Sequence, residues 1–479
     1  MRTKFDIVGS FNKQPINNFD AQRTVNLFEY TDTEGKKGKI LINTSGLIER
    51  FDISGMTQGW RNSFVFQGFA YFVVADSVYR MDSNLIRTLL GTITTSNGFV
   101  GIEANTHQVI FVDGVFGYIY DVNTGVFQKI TSPGFPTLPI DVAFLDGFFV
   151  VPAGGTNTFT LSSLNDGLTW DALDSAAINT HPGNITAIQT LHRKLFIFAK
   201  TFCEVWENAG LADFAFRRNN SLLIEYGTDS VASVVTGYDK MFFLSQDLQG
   251  LGHVIMVSGT QAIPISNQAL DYELNNYAVV SDAVGIVYQD WGIIFYRLNF
   301  TNANKTWVYN VSQSSGQGDL RWHTEEMLDG DRHIAQTHFY LNNKHYFGAY
   351  DSGKCFEISN TTYSNGSESI KRERVSSAFY VESNNKVRID RLYIDLVQGD
   401  AKSSGIDANP LVFLAFSIDG GKTYSNEMAS PMGDIGENTF RTIFRKLGAG
   451  RTFIFRLRFY NQNKFVILGS TIDYEELPE

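Results

Sequence analysis

Cysteine is almost missing from this chain: Cys203 and Cys355 are its only two in 479 residues. That excludes a disulfide framework and reads as two small buried apolar side chains in a protein made in a reducing compartment. Proline is scarce, at 10 residues. Long apolar runs are missing too; nothing approaches the roughly 18 uninterrupted apolar residues of a membrane-crossing helix. The opening Met1-Arg-Thr-Lys-Phe-Asp6 is interrupted by charge too early for a signal-peptide core, so export by the general route is not expected. Nor is there an excess of positive charge. The formal net charge of -11 argues against ordinary nucleic-acid binding, where a basic face supplies most of the affinity, and suits a surface that must not hold DNA. Helical periodicity is nearly absent along the chain.

What is abundant is aromatic and small: 39 Phe, 21 Tyr and 42 Gly. Such residues suit half-buried strands joined by tight turns. A short apolar run, a polar turn and a second apolar run recur. Phe64-Val-Phe-Gln-Gly-Phe-Ala-Tyr-Phe-Val-Val74 and Asp141-Val-Ala-Phe-Leu-Asp-Gly-Phe-Phe-Val-Val151 are examples. Each reads as a hairpin buried on both faces. The turns fall near Gly68, His107, Gly147, Arg193, Asp239, Trp291 and Asn343. Intervals of about 40 to 50 residues fit or slightly exceed a four-stranded propeller blade. The expectation is an all-β chain with a β-propeller over 57–360, of about seven blades with six also possible. Residues 1–56 read as an N-terminal arm or loop region, with the polar stretch Asn17 to Gly38 packing on another subunit or on the propeller rim. Residues 361–479 read as a C-terminal β-sandwich-like domain, reached through the polar stretch Asn360 to Arg374.

Two segments match the spacing of an Asp-box, Ser-x-Asp-x-Gly-x-Thr-Trp. The first comprises Ser163, Asn165, Gly167, Thr169 and Trp170, with Asn165 at the Asp position. The second comprises Ser417, Asp419, Gly421, Thr423 and Tyr424, with Tyr in place of Trp. The Asx side chain caps turn donors, glycine permits the tight backbone, and the aromatic covers the hairpin. Such boxes occur in sialidase-like propellers, yet they read here as structural staples, because a motif implies chemistry only within its site. A sialidase-like site needs clustered arginines facing a tyrosine and acidic partners; Arg61, Arg80, Arg193 and Arg297 lie at loosely comparable blade positions, but nothing in the sequence gathers them. His323, His333, His338 and His345 lack metal-pair spacing, and strand parity sends His333 and His338 to opposite faces. No phosphate loop or dinucleotide fingerprint occurs. No catalytic residue, metal or cofactor is expected. The last quarter concentrates Arg441, Arg445, Arg451, Arg456 and Arg458, beside Lys371-Arg-Glu-Arg374. These are either wet strand faces or a docking face for an acidic neighbour, such as another copy of this chain.

A resemblance covers the chain from end to end. Phe416-Ser-Ile-Asp-Gly-Gly-Lys-Thr-Tyr-Ser-Asn-Glu427 is followed by Gly433, Gly436, Arg441, Phe444-Arg-Lys-Leu-Gly448, Arg451 and Phe455-Arg-Leu-Arg458. This block resembles the ending of the packaged-DNA stabilisation proteins, the tail hubs or nozzles of short-tailed bacteriophages, with Phe444 where the family usually has Trp. Arg23-Thr-Val-Asn-Leu-Phe28, Leu41-Ile-Asn-Thr-Ser-Gly-Leu47 and Phe202-Cys-Glu-Val-Trp-Glu-Asn-Ala-Gly210 are similar to its opening and centre, with Ser45 in place of Pro. The resemblance implies a non-enzymatic structural virion protein, assembled in the host cytoplasm into a homohexameric tail ring. Its implied partners are the portal adaptor, tail fibres or tailspikes, a plug or needle, and double-stranded DNA in transit. The competing readings are a carbohydrate-active, sialidase-like propeller and a glycan-binding adhesin.

Overall fold

The computed structural model of the chain describes residues 1–13, 21–31, 38–56, 58–211, 214–246, 252–314 and 318–477. Seven sheets stand around one axis, spanning 60–92, 101–129, 143–177, 185–224, 235–264, 284–324 and 335–359. Six are built from consecutive strands; the last takes its fourth strand, Gly46–Phe51, from near the chain start. The innermost strands touch one another right round the wheel. Trp60–Phe66 contacts both Gly101–Ala104 and Ala335–Leu341, which closes it.

Alternation along the apolar runs explains why they are apolar throughout. In Phe69–Val74, Tyr71 and Val73 face the second sheet, while Ala70, Phe72 and Val74 face the last. Leu195 and Ile197 likewise turn to the third sheet, and Phe196 and Phe198 to the fifth. A strand between two blades has no wet face, so both parities carry large side chains. The inner hairpins turn where the sequence places them. Gln67-Gly68, Asp146-Gly147, His192-Arg193, Tyr238-Asp239, Trp291-Gly292 and Asn342-Asn343 all have positive φ at both residues. That is the two-residue turn whose twist matches its strands. The second sheet turns differently: Asn105 Oδ1 accepts from His107 N and Gln108 N at 2.9 and 2.6 Å. Where the last blade meets the first, Gly348 lies flat on Trp60, and a Cβ there would come within 2.2 Å of the indole.

The described part of residues 1–56 is not an arm. It forms six strands: Arg2–Phe5, Asn12–Lys13, Ala21–Val25, Leu27–Thr31, Lys39–Asn43 and Gly46–Phe51. Of the polar stretch Asn17 to Gly38, residues 17–20 and 32–37 lie outside the described residues. Ala21–Val25 runs parallel to Trp322–Thr324 of the sixth blade and antiparallel to Arg372–Val375. Blade and sandwich thereby share one ten-stranded sheet. The polarity suggesting a loose arm belongs instead to side chains that satisfy this seam. Asn26 Nδ2 donates to the carbonyls of Glu326 and Lys371, and its Oδ1 accepts from Glu326 N. Glu326 also meets Arg23, Lys305 and Lys371. The expected linker after Asn360 is likewise partly woven in, since Ser364–Asn365 pairs with Gly46–Phe51.

The sandwich packs two sheets over one core. One comprises Leu27–Thr31, Lys39–Asn43, Val466–Glu476, Val387–Leu396 and Thr442–Arg445, with Arg2–Phe5 beside Val466–Glu476. The other is the far end of the shared sheet: Arg372–Val375, Ile454–Phe459, Leu411–Ser417 and Met428–Pro431. Ile389, Leu392, Leu414, Phe455, Leu457 and Ile472 lie between them.

Candidate functional site

Both Asp-box segments are hairpin staples. In the second, Asp419 Oδ1 accepts from Ser417 Oγ, Lys422 N and Thr423 N at 2.7, 3.1 and 3.0 Å, and its Oδ2 accepts from Thr423 Oγ1 at 2.6 Å. Donation from Thr423 above all holds the Asp419 carboxyl well below the usual range. Gly421 N donates to Ser417 Oγ, and Tyr424 lies under Arg456 at 4.2 Å. In the first, the residue at the expected position is not the one that caps. Asn165 takes the left-handed backbone (φ 55°), and the next residue, Asp166, accepts from Leu168 N and Thr169 Oγ1 at 2.9 and 2.6 Å. Trp170 Nε1 donates to Gly167 O at 2.7 Å, and Gly167 N donates to Gln108 Oε1 at 2.8 Å, which ties the third sheet to the second.

The arginines flagged near the C-terminus divide. Arg456 and Arg458 lean on Glu427, and Arg458 also pairs with Glu373 at 2.6 Å. Arg451 Nη1 donates to Asn384 O. Arg372 and Arg374 of the basic stretch are fully buried. Arg441 and Arg445 remain on the outer face of the sandwich, where they meet two arginines the sequence did not single out. Across neighbouring strands the register reads Arg2, Asp473, Arg391, Arg445. Tyr393 lies among them: Arg2 and Arg441 approach its ring at 5.0 and 5.8 Å, and Arg391 Nη1 donates to its hydroxyl at 3.3 Å. Asp473 pairs with Arg2 at 2.6 Å, and hydrogen bonding from Arg2 above all holds it at about 2. Arg391 and Arg445 thus stand directly opposite each other, a like-charge pair that opposes sheet pairing.

The four arginines considered for a sugar site do not converge. Arg61 donates to the carbonyls of Ala75, Thr95, Asn97 and Gly98; Arg80 covers Phe69; Arg193 pairs with Asp146. Arg297 alone lies near a tyrosine and acids. Its Nη2 meets Glu325 and donates to Tyr288 Oη at 3.2 Å, and Nη1 meets His333 Nδ1 at 3.2 Å. Burial pushes Glu325 upward, but Arg297 and the neighbouring histidines outweigh it and hold the carboxyl at about 2. The free space here is about 10 Å³, enough for one water and no sugar. His333 belongs to this cluster. It precedes the strand Ala335–Leu341, so strand parity does not apply to it. His338 instead bonds His345, with nitrogens 2.9 Å apart.

The wheel's axis holds a cavity of about 330 Å³ lined by Glu103, Asp141, Gln189 and Thr337 among others. Asp141 accepts from Val142 N and Ile188 N at 2.9 and 3.1 Å, bridging the third and fourth sheets. Burial pushes its carboxyl to about 7; burial and then Asp141 push Glu103 from 4.5 to about 8. A folded-state value raised this way gives stability that is complete below pH 4.5 and is lost as pH rises through 8. Glu103→Gln removes that loss. Its melting temperature, relative to the unaltered protein, should therefore rise progressively between pH 5 and pH 9. A constant offset across that range in scanning calorimetry refutes the assignment.

Residues 5–363 match the profile of a family described as Bacteriophage P22 Gp10, beta-propeller, and residues 372–475 match that of Bacteriophage P22 Gp10, beta-sandwich. The chain belongs to the bacteriophage P22 Gp10 family. It is therefore a phage structural protein with a propeller and a sandwich. Family membership places it with virion components and accords with a non-enzymatic role. No curated protein matches the sequence. Among solved structures, it is similar to the computationally designed Ika8 protein at 14% identity, covering 70% of this chain and 98% of that one, with a TM-score of 0.38. The N-terminal domain of Nup159 matches at 9% identity, 70% and 99% coverage and a TM-score of 0.40. The extracellular domain of the one component system BT4673 from B. thetaiotaomicron matches at 10% identity, 82% and 48% coverage and a TM-score of 0.44. Likenesses this distant add nothing to the family assignment.

Proposed function

We propose that this Gp10-family chain is a subunit of a tail-hub ring, a homohexamer that extends the portal channel of a short-tailed phage. In this role it retains packaged DNA, meets the portal adaptor, and anchors fibres or spikes and a plug. The observation that supports it is a separation of charge within one rigidly seamed subunit. Residues 361–479 hold 15 Lys and Arg against 15 Asp and Glu, so the whole net charge of -11 lies in residues 1–360. The outward cluster of Arg2, Arg391, Arg441 and Arg445 on the sandwich is complementary to the acidic propeller of a neighbouring copy. A contact between two different patches of identical subunits generates a ring when its rotation closes. The axial cavity of each propeller is the size of a small-molecule pocket, so a duplex would travel between copies and not through a wheel.

The test is a phage carrying Arg391→Glu with Arg445→Glu. Both side chains are exposed, so the subunit should still fold, with a modestly lowered melting temperature because Arg391→Glu sets a carboxylate opposite Asp473. The expected result is particles that fill and then lose their DNA to added nuclease, with the subunit free in the lysate. Full rings with protected genomes in the double variant contradict the docking face; absence of the unaltered protein from purified virions of the unaltered phage contradicts the role.

A further inference from the structure

One mouth of the propeller's axis opens into a cup of about 570 Å³, within the range of small-molecule sites. It is shaped by the first, fifth, sixth and seventh blades. Two tyrosines stand at its rim, Tyr238 at 43% and Tyr340 at 49% exposure. Tyr238 occupies a left-handed backbone position (φ 52°), unusual for a bulky residue and held there by its hairpin. Burial above all, and then Tyr340, push the Tyr238 phenol upward. Half-buried Phe64 lines the wall, and Gln289 and Thr236 offer exposed amide and hydroxyl groups.

None of the side chains lining the cup is Asp, Glu, Lys or Arg, on a chain whose net charge is -11. The His338–His345 pair adds no charge either. Burial holds His338 down at about 3 and lowers His345 as well, so both rings are neutral donors and acceptors near pH 7. Tyr340 leans against His345 with ring centres 4.7 Å apart, which fixes the face it presents. Flat aromatic faces, neutral amide, hydroxyl and imidazole groups, and no ion together describe a site for a neutral ring with an apolar face and hydroxyl edges.

We infer that this axial cup binds a neutral pyranose, one residue of an oligosaccharide, between Tyr238 and Tyr340. The inference does not depend on how copies of the chain assemble. It assigns binding and no bond cleavage.

Saturation-transfer NMR of the purified full chain tests it, using the methyl glycosides of glucose, galactose, mannose and N-acetylglucosamine as probes. At least one should receive transfer at millimolar concentration. Tyr340→Ala should weaken it about tenfold or more. Tyr238→Asn should do the same while keeping the turn, since Asn tolerates the left-handed backbone. Tyr380→Ala, which removes an exposed ring from the sandwich region, should change nothing. Absence of transfer from all four sugars overturns the inference. So does transfer that survives both cup variants, or that falls equally in Tyr380→Ala.

Discussion

Deleting residues 1–51 is expected to yield insoluble protein, although residues 1–56 read in the sequence as an arm or loop region packing on another subunit or on the propeller rim. Among its described residues nine apolar side chains are buried: Phe5, Ile7, Val8, Phe11, Val25, Leu27, Phe28, Leu41 and Leu47. At about 1.5–3 kcal/mol each, their combined loss equals or outweighs the roughly 5–15 kcal/mol by which most folded domains outlast their unfolded state. The deletion also strips Gly46–Phe51 from the last blade, leaving Cys355–Ser359 as a bare edge ready to pair with another chain. Phe28 and Leu47 leave the cluster they share with Tyr288, Phe295 and Phe347. The measurement is the soluble fraction after expression and, for any soluble protein, its thermal transition. A soluble truncation with an unchanged transition refutes the strand assignments for this region.

Arg374→Met is the point substitution with the largest expected effect. The guanidinium is fully buried and gathers four acceptors from the chain start. Nε donates to Ile7 O at 2.7 Å, Nη1 to Ser10 O and Thr24 Oγ1 at 3.2 and 2.9 Å, and Nη2 to Gln22 Oε1 at 2.5 Å. Methionine fills similar space and donates nothing. Buried acceptors left without donors cost roughly 1–3 kcal/mol each, so a loss on the order of 3–5 kcal/mol is expected, allowing for partial relaxation. Chemical denaturation measures it. Hydrogen exchange locates it: amides of 5–11 and 21–25 should lose protection while those of the second to fourth blades keep theirs. Uniform loss everywhere, or none, refutes the pinning role. Gly9 is matched to the same group, since a Cβ there would come within 2.6 Å of Arg374 Nη2.

That arginine shows where the sequence could be read and where it could not. The wheel was legible because its signals are local. A pair of apolar strands and the two residues between them lie within a dozen positions, and Gly68, Gly147 and Asn343 sit at the turns their chemistry suits. The sandwich was legible from strand rhythm, and both family profiles agree. What was hidden depends on pairing across hundreds of residues. Lys371-Arg-Glu-Arg374 reads as a wet basic run, yet Arg372 and Arg374 are buried because the chain start arrives to cover them. Arg2 and Asp473 are neighbours only because the first strand pairs with the last. No local pattern marks Arg391 and Arg445 as opposite each other. In the first Asp-box, spacing pointed to Asn165, but the left-handed backbone there hands the capping role to Asp166.

The strand Ala21–Val25 is bonded on one edge to the wheel and on the other to the sandwich. A sideways load on either part is therefore carried by backbone bonds of this one strand and not by a loop. Tilting the sandwich drags the sixth blade with it, and the subunit behaves as a stiff bracket whose two ends report each other's position.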